Sequence, residues 1–245
     1  MPANIDAYNS MLPSAIKHFW GSRKNALRKQ SDRGIIDQGN RSGVTAGKNL
    51  DGFADLIKQI IIDNGIKDVE IHTDGRKLLT IPGFFRPTKN WDLLVIRKNQ
   101  LLAAIELKSQ VGPSFGNNFN NRVEEALGNA TDLNTAFREG AFGESSKPFL
   151  GYFFVLEECP KSTIPVRITS PHFPAFPEFD NSSYATRYEI LCRKLVQEQL
   201  YDAAALVMTR KEAEDTGECR PMSDLTSAKR FAINLAGRIS SFALD

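Results

Sequence analysis

The chain has 245 residues, of which 41% are hydrophobic and 24% charged, a composition that is ordinary for a globular protein with a substantial core. No apolar run approaches the roughly 18 residues of a membrane span, so we do not expect a membrane partner. A net charge of +2 neither demands nor excludes nucleic acid.

The N-terminus and the cysteines indicate the cellular compartment. The N-terminus, MPANIDAYNS, lacks the basic start and apolar stretch of a secretory signal, which predicts a cytoplasmic protein. Three widely spaced cysteines form no CxxC pair, which fits a reducing compartment. Basic residues are in excess between Lys17 and Arg41, and such a segment either follows nucleic-acid phosphates or is a solvated face.

The first half of the chain predicts helices followed by strands. Apolar residues recur at helical spacing over residues 5–20 and 47–64. Strand-like runs follow at VEIHT (69–73), WDLLVIR (91–97) and LLAAIEL (101–107).

The second half predicts one more strand between helices. A helix over about residues 120–139 precedes the strand FLGYFFVLEE (149–158). The prolines of SPHFPAFPEF (170–179) predict an extended loop, and helices over 183–200 and 226–244 close the chain. The order predicts an α/β fold with a mixed central β-sheet flanked by helices.

Three charged residues interrupt the second and third predicted strands. Asp92 opens one strand, and Glu106 and Lys108 end the next. Because side chains alternate across a strand, Glu106 and Lys108 share one face. The strands around them are almost continuously apolar, as in a sheet covered on both faces, and a charged cluster there is harder to explain as an exposed surface.

The turn between these strands decides whether the two acids meet. A two-residue turn at 98–99 sets Asp92 opposite Ile105, and one further loop residue sets it opposite Glu106. In the second register the Cβ atoms of the two acids lie about 4.5–5.5 Å apart, and their charges repel. Sequence alone leaves both registers open.

A divalent cation is the natural partner for two such carboxylates. Oxygen ligands without nearby His or Cys suit Mg²⁺, which also binds substrate phosphates. A bound Mg²⁺ activates water and stabilises a phosphorane, while an adjacent lysine orients or deprotonates the attacking water. The alternative is chance, because an E-x-K triplet should occur roughly once in a chain of this length and a surface hairpin often carries such charges.

Longer blocks of sequence resemble a known family. The pattern D-x13-E-x-K resembles the PD-(D/E)xK nuclease core, with Trp91 where the broad motif has Pro. The stretch from Arg41 to Leu195 resembles the XhoI-type Type II restriction endonucleases, in the blocks RSGV, NLDGF, FRPTKNWDLLV, ELKSQVGPSFGNNFNNRVEEALG, SPHFPAFP and SYATRYEILCRKL.

This resemblance implies a restriction-endonuclease-like core and a function. The expected enzyme is a Mg²⁺-dependent homodimer that cuts both strands of duplex DNA at the palindrome CTCGAG, leaves 5′-phosphate ends and is paired with a cognate DNA methyltransferase. The expected organisation is a single elaborated nuclease domain over residues 1–245. Its catalytic core spans about residues 47–160, with N- and C-terminal helical additions for DNA recognition or dimerisation.

The same resemblance assigns roles at the hairpin. It makes Asp92 and Glu106 the metal-binding carboxylates, the Leu107 backbone carbonyl a third ligand, and Lys108 the residue that assists the nucleophilic water. Nucleases of this class often add an acid from the helix before the sheet. Asp51 and Asp55 both have that position, and Asp51 lies in the NLDGF block, although a solvated or capping role explains Asp51 equally well.

Candidate DNA-contacting residues follow the catalytic strand. Five polar residues cluster at the start of a predicted helix, a place that favours phosphate or groove contact: Asn117, Asn118, Asn120, Asn121 and Arg122. The alternative is a polar loop with a capping Asn. His172 either contacts DNA or packs in its loop, and Arg187 either reaches DNA or pairs with Glu189 or a nearby acid.

Two other functions fit the same residues. One is a repair or structure-specific nuclease on the same core, which would cut by DNA structure. The other is a non-catalytic DNA-binding module in which the charged cluster is structural.

Overall fold

A computed structural model of the protein describes residues 3–32, 49–65, 68–144 and 146–242. The helices are α1 (Asp6–Asp32), α2 (Asp51–Asp63), α3 (Gly116–Arg138), α4 (Pro160–Thr163), α5 (Tyr184–Gln197), α6 (Ala213–Thr216) and α7 (Ala228–Phe242). The strands are β1 (Glu70–His72), β2 (Thr80–Ile81), β3 (Lys89–Asn90), β4 (Leu93–Arg97), β5 (Gln100–Gln110), β6 (Phe149–Glu157) and β7 (Ala203–Thr209).

A mixed sheet forms the centre of the protein, in the order β1-β4-β5-β6-β7. Strands β1, β4 and β5 pair antiparallel, whereas β5, β6 and β7 pair parallel. Strands β2 and β3 form a separate two-stranded hairpin. The predicted α/β fold with a mixed central sheet is confirmed.

Helices cover both faces of this sheet. One hydrophobic cluster joins α1, α2 and α7 to one face, and a second joins α3 and α5 to the other. Every residue of β6 and β7 is therefore buried, which explains why these strands are almost wholly apolar. No helix within the described ranges is both long and apolar enough to cross a membrane.

Several elements differ from the predictions in extent. Strand β7 was not predicted, because its sequence AAALVMT is alanine-rich and alanine has little intrinsic preference for strands. Helix α1 continues well beyond residue 20, to Asp32. The proline-rich stretch is a loop as predicted, except that Pro177–Phe179 form one 3₁₀ turn. The basic segment that ends at Arg41 lies partly outside the described residues.

The register between β4 and β5 has an unexpected origin. The turn has two residues, Lys98 and Asn99, with φ angles of 47° and 63° that are typical of a type I′ turn. A β-bulge after Val95 then gives β5 one extra residue, so that Leu93 lies opposite Ile105. The same register continued by one residue brings Asp92 opposite Glu106.

Candidate active site

The register between β4 and β5 brings the three predicted catalytic side chains together at the N-terminal end of β4. The Lys108 ammonium lies 3.5 Å from Asp92 Oδ2 and also forms an ion pair with Glu106 Oε1. The Leu107 backbone N–H donates a hydrogen bond of 2.8 Å to Asp92 Oδ2. Asp92, Glu106 and Lys108 therefore form one cluster, with the lysine between the two carboxylates.

The backbone of Leu107 faces the same cluster. In an antiparallel pair one residue directs both its N–H and its carbonyl towards the same neighbouring strand. The Leu107 N–H reaches Asp92, so its carbonyl oxygen also lies on the Asp92 side of β5. The carboxylates of Asp92 and Glu106 and the carbonyl oxygen of Leu107 thus face the space beyond the N-terminal end of β4.

The electrostatic environment differs between the two acids. Burial raises the pKa of Asp92, and the charge of Glu106 raises it further, against the opposing effects of Lys108 and the Leu107 N–H. Burial also acts to raise the pKa of Glu106, but the ammonium groups of Lys108 and Lys89 outweigh it and lower that pKa. The Glu106 side chain is ionised although it is only 2% exposed.

Lys89 is a site residue that the sequence did not reveal. Its ammonium lies 2.8 Å from Glu106 Oε2, so that each oxygen of Glu106 contacts one lysine. The same ammonium lies 4.6 Å from the centre of the Trp91 ring, and Trp91 is buried. A lone lysine 17 positions before Glu106 gives no sequence signal, because only the β2–β3 hairpin brings it to the site.

A buried acid holds the loop that leads to Lys89. The Asp132 carboxylate, on α3, accepts hydrogen bonds of 2.7 Å from the backbone N–H groups of Phe84 and Phe85 and from Arg86 Nε. Gly83 is needed at this point, because an added Cβ would lie 2.4 Å from Asp132 Oδ2. The carboxylate therefore fixes the conformation of the β2–β3 loop.

Replacing Asp132 by Ala is expected to lower the free energy of unfolding by about 3 kcal/mol, because three hydrogen bonds to a buried carboxylate are lost. Burial tends to raise the pKa of Asp132, but its hydrogen bonds from Arg86 and the loop outweigh this and lower it. The stabilisation is therefore present above the unfolded value of about 4 and is lost as pH falls through the lower folded value.

Urea unfolding of wild type and Asp132→Ala from about pH 7 to about pH 3 would measure this difference. The exposed residue Asp74 supplies the control, as Asp74→Ala. A difference between wild type and Asp132→Ala that stays constant over the whole pH range would contradict the assigned ionic role.

The predicted DNA-contacting residues occupy the first two turns of α3, after the catalytic strand. Asn117, Asn120 and Asn121 are exposed, whereas Asn118 Nδ2 donates to the Ser114 carbonyl at 2.8 Å. Arg122 forms an ion pair with Glu125, and the charge of Glu125 also acts on Lys108. This end of α3 therefore lies beside the catalytic cluster, and DNA contact by these residues stays a prediction.

The other two candidates have different surroundings. His172 is exposed in its loop, so it does not pack as one of its two predicted roles required. Arg187 donates hydrogen bonds to Ser182 Oγ at 3.0 Å and to the Val166 carbonyl at 2.9 Å. The alternative pairing of Arg187 with Glu189 is wrong, because the Glu189 carboxylate accepts from Thr226 in the interior.

Asp51 lies on the opposite side of β5 from Glu106. It is the first residue of α2 and lines a cavity of about 310 Å³ together with Asp92 and Leu107. Within the described ranges no group of three or more His, Cys, Asp or Glu side chains is arranged to hold a metal ion. The acidic side chains brought together at the cluster are thus Asp92 and Glu106, and a ligand role for these two acids and for Asp51 stays a prediction.

A mixed α/β sheet with an acid before one strand and E-x-K on the next defines a class of protein. That arrangement is the one expected for a nuclease of the PD-(D/E)xK type. Comparison with known proteins agrees: the model of the restriction endonuclease XhoI family matches residues 29–220. The chain belongs to the XhoI restriction endonuclease family, and it is therefore a site-specific endodeoxyribonuclease.

Three curated relatives are named as Type II restriction enzymes. The chain is 50% identical over 196 residues to the Type II restriction enzyme XhoI of Xanthomonas vasicola, covering 80% of this chain and 78% of that protein. It is 52% identical over 195 residues to the Type II restriction enzyme BstVI of Geobacillus stearothermophilus, covering 77% of this chain and 86% of the relative. The Type II restriction enzyme AbrI of Azospirillum brasilense is 52% identical over 173 residues, or 71% of this chain and 77% of the relative.

No solved structure matches the chain. Among the three functions that the residues allowed, the comparisons favour the restriction endonuclease over the structure-specific nuclease and the non-catalytic module.

Proposed function

We propose that the protein hydrolyses phosphodiester bonds of double-stranded DNA at the palindrome CTCGAG, in a Mg²⁺-dependent reaction that leaves 5′-phosphate ends. The observation that carries the proposal is the cluster of Asp92, Glu106 and Lys108 at the end of β4, with Lys108 between the two carboxylates. The recognition site is inferred from the resemblance to the family.

The donor set of the cluster fits Mg²⁺. Burial and the charge of Glu106 raise the pKa of Asp92, so the ionised form of this carboxylate would be favoured by a cation bound beside it. Asp92, Glu106 and the Leu107 carbonyl would hold the ion, and all three supply the oxygen atoms that Mg²⁺ prefers. The bound ion would lower the pKa of a water molecule and stabilise charge on the phosphate.

The residues of the chain have separate tasks in this reaction. Lys108 supplies a cationic donor between the carboxylates, where it orients the water that attacks phosphorus. Burial tends to lower the pKa of Lys108, but the charges of Glu106 and Asp92 outweigh it and raise that pKa, so the side chain donates hydrogen bonds and does not act as a base. Positive charge beside the phosphate also stabilises the additional negative charge of the transition state. Lys89 holds the second oxygen of Glu106 at 2.8 Å, which fixes the orientation of that carboxylate in the buried site.

DNA binding would involve the start of α3, the start of α5 that packs against it, and the exposed loop that precedes α5. We assign groove or phosphate contacts to Asn117, Asn118, Asn120, Asn121, Arg122, His172 and Arg187. The exposed amides at 117, 120 and 121 are suited to base edges, since Asn pairs well with adenine. Arg122 and Arg187 already hold protein partners, and contact with DNA would require exchange of those bonds.

A palindromic site also implies assembly and a cellular context. Two-fold symmetric DNA is met most simply by a two-fold symmetric dimer, in which each subunit cuts one strand. An enzyme that cuts every copy of a short site would cut the DNA of its own cell. We therefore place it in the cytoplasm with a cognate DNA methyltransferase that protects the host sites.

A plasmid digest tests metal, reaction and site together. A plasmid with one CTCGAG site is incubated with Mg²⁺ or with a chelator, beside a plasmid whose site is altered by one base pair. The expected result is one linear product that requires both Mg²⁺ and the intact site. Intact plasmid under every condition, from protein shown to be folded, would contradict the proposal.

Two further measurements test the chemistry of the DNA ends and the oligomeric state separately. Linear product that DNA ligase recloses would support 5′-phosphate ends, since ligase requires them. Sedimentation equilibrium would show a dimer with the mass of two 27.3 kDa chains. Linear product at a different site would replace CTCGAG and leave the nuclease activity in place.

A further inference from the structure

Arg23 on α1 is a buried cation that the catalytic cluster does not use. It is only 8% exposed, and its Nε atom has no hydrogen-bond partner among the described residues. Its side-chain hydrogen bond within that part of the chain runs from Nη2 to Ser109 Oγ, at 3.2 Å. A buried donor without a partner costs about 1–3 kcal/mol of folding free energy, so the unpaired Nε of Arg23 needs an explanation.

Arg23 lies against the catalytic strand. Ser109 follows Lys108 on β5 and directs its side chain to the opposite face of the strand. On that face Arg23 and Ser109 line the cavity of about 310 Å³ that also reaches Asp92 and Leu107. This volume equals that of roughly ten water molecules in the liquid, which admits a phosphodiester group with part of its hydration shell.

A second cavity begins at the same arginine. It measures about 290 Å³, and its lining combines four basic side chains with one acid and three apolar side chains: Arg23, Lys24, Arg28, Lys211, Glu214, Trp20, Leu27 and Val111. Glu214 pairs with Lys24 at 2.8 Å, so the lining has a net positive charge. Arg23 therefore lies between the catalytic edge of the sheet and a surface of net positive charge. This arrangement is what a DNA strand requires if it leaves the catalytic cluster along α1.

The protein neighbours of Arg23 satisfy only part of its guanidinium. The guanidinium carbon lies 4.8 Å from the centre of the Phe19 ring, but this contact leaves the Nε hydrogen bond unmade among the described residues. Glu157 is the acid whose charge acts on it, but no direct ion pair joins the two among the described residues. The Glu157 carboxylate already accepts from the Gly112 N–H at 2.7 Å and pairs with Lys211 at 3.3 Å. Burial lowers the pKa of Arg23 to about 10, so the guanidinium is still charged at neutral pH.

We propose that the Arg23 guanidinium binds a non-bridging oxygen of the phosphodiester next to the scissile one, in the cavity beside Asp92 and Leu107. This inference rests on the proposed function, because it assumes that the scissile phosphate lies at the cluster of Asp92, Glu106 and Lys108. Planar guanidinium groups bind phosphate oxygens through paired donors, which an ammonium cannot reproduce. Arg23 is thereby a positioning residue for the cleaved strand.

Methylphosphonate interference tests this contact. Duplexes containing CTCGAG carry one uncharged methylphosphonate at each successive position, and their affinities are measured with Ca²⁺ in place of Mg²⁺, with strand integrity checked on a denaturing gel. For wild type, one position beside the scissile phosphate is expected to lose about tenfold in affinity, which is the worth of one charge-assisted hydrogen bond. For Arg23→Gln, a methylphosphonate at that position is expected to cause no further loss of affinity.

Matched variants separate contact from structure. Lys17→Gln removes one charge from an exposed position on the same helix and is expected to keep the wild-type interference pattern. Arg23→Lys keeps the charge and is expected to weaken the interference only in part. Removal of Arg23 is also expected to lower the slope of log Kd against log salt concentration by about 1.

Two results would overturn the inference, and they differ from each other. If Arg23→Gln, or Arg23→Lys where the first variant does not fold, keeps the full wild-type interference pattern, the Arg23 contact is excluded while the proposed function stands. If wild type binds and cuts no duplex, the proposed function fails and the Arg23 contact fails with it.

Discussion

Replacing Asp92 by Asn is expected to lower the rate of DNA cleavage by at least about 10³-fold without destabilising the fold, because loss of a carboxylate proposed to bind the metal would remove several kcal/mol of transition-state stabilisation. Asn has nearly the same shape as Asp and still accepts a hydrogen bond from the Leu107 N–H. The variant also removes one of two carboxylates whose charges repel. The free energy of unfolding should therefore stay the same or rise slightly.

Single-turnover cleavage of a CTCGAG duplex and urea unfolding of the same preparations measure both quantities. Asp74→Asn is the control, because Asp74 is exposed and does not line the cavity beside Asp92. A folded Asp92→Asn variant that cuts within about tenfold of the wild-type rate would remove Asp92 from the catalytic residues.

Replacing Glu106 by Gln is expected to lower the rate of cleavage by the same factor as Asp92→Asn. The variant is also expected to destabilise the protein by about 3 kcal/mol, since removal of one partner leaves buried charges uncompensated. Glu106 is only 2% exposed, and its two oxygens contact Lys108 and Lys89. A neutral amide leaves both ammonium groups without a carboxylate at this position. The two acids of the site thus differ in what they contribute to stability.

The same two assays distinguish these outcomes. Glu124→Gln, an exposed change on α3, is the control. A double variant, Glu106→Gln with Lys89→Met, should recover part of the lost stability while cleavage stays absent, because one uncompensated charge is then removed. Equal stability of wild type and Glu106→Gln would show that the two lysine contacts contribute nothing to the folded state.

Much of the candidate site was predictable from local sequence. Alternation along the LLAAIELKS strand placed Glu106 and Lys108 on one face, and the helical and strand patterns gave the α/β order. The family resemblance assigned Asp92 as the second acid. These features depend on residues close together in the chain, and periodic patterns report such local relations well.

Strand β7 and the β4–β5 register needed the folded structure. β7 is alanine-rich and becomes a strand only because β6 lies beside it. The register that sets Asp92 against Glu106 comes from a two-residue turn combined with a bulge after Val95, whereas the sequence allowed only a choice between loop lengths. Both depend on pairing between strands, which no single strand encodes.

The charged neighbours of the site were likewise decided by tertiary structure. The sequence by itself determined the fold class, the shared face of Glu106 and Lys108, and the family. Lys89 reaches Glu106 through a hairpin too short to predict, and Arg23 reaches Ser109 from a helix 86 residues earlier in the chain. Such contacts join segments far apart in sequence, and only packing of α1 and the β2–β3 hairpin against the sheet brings them together.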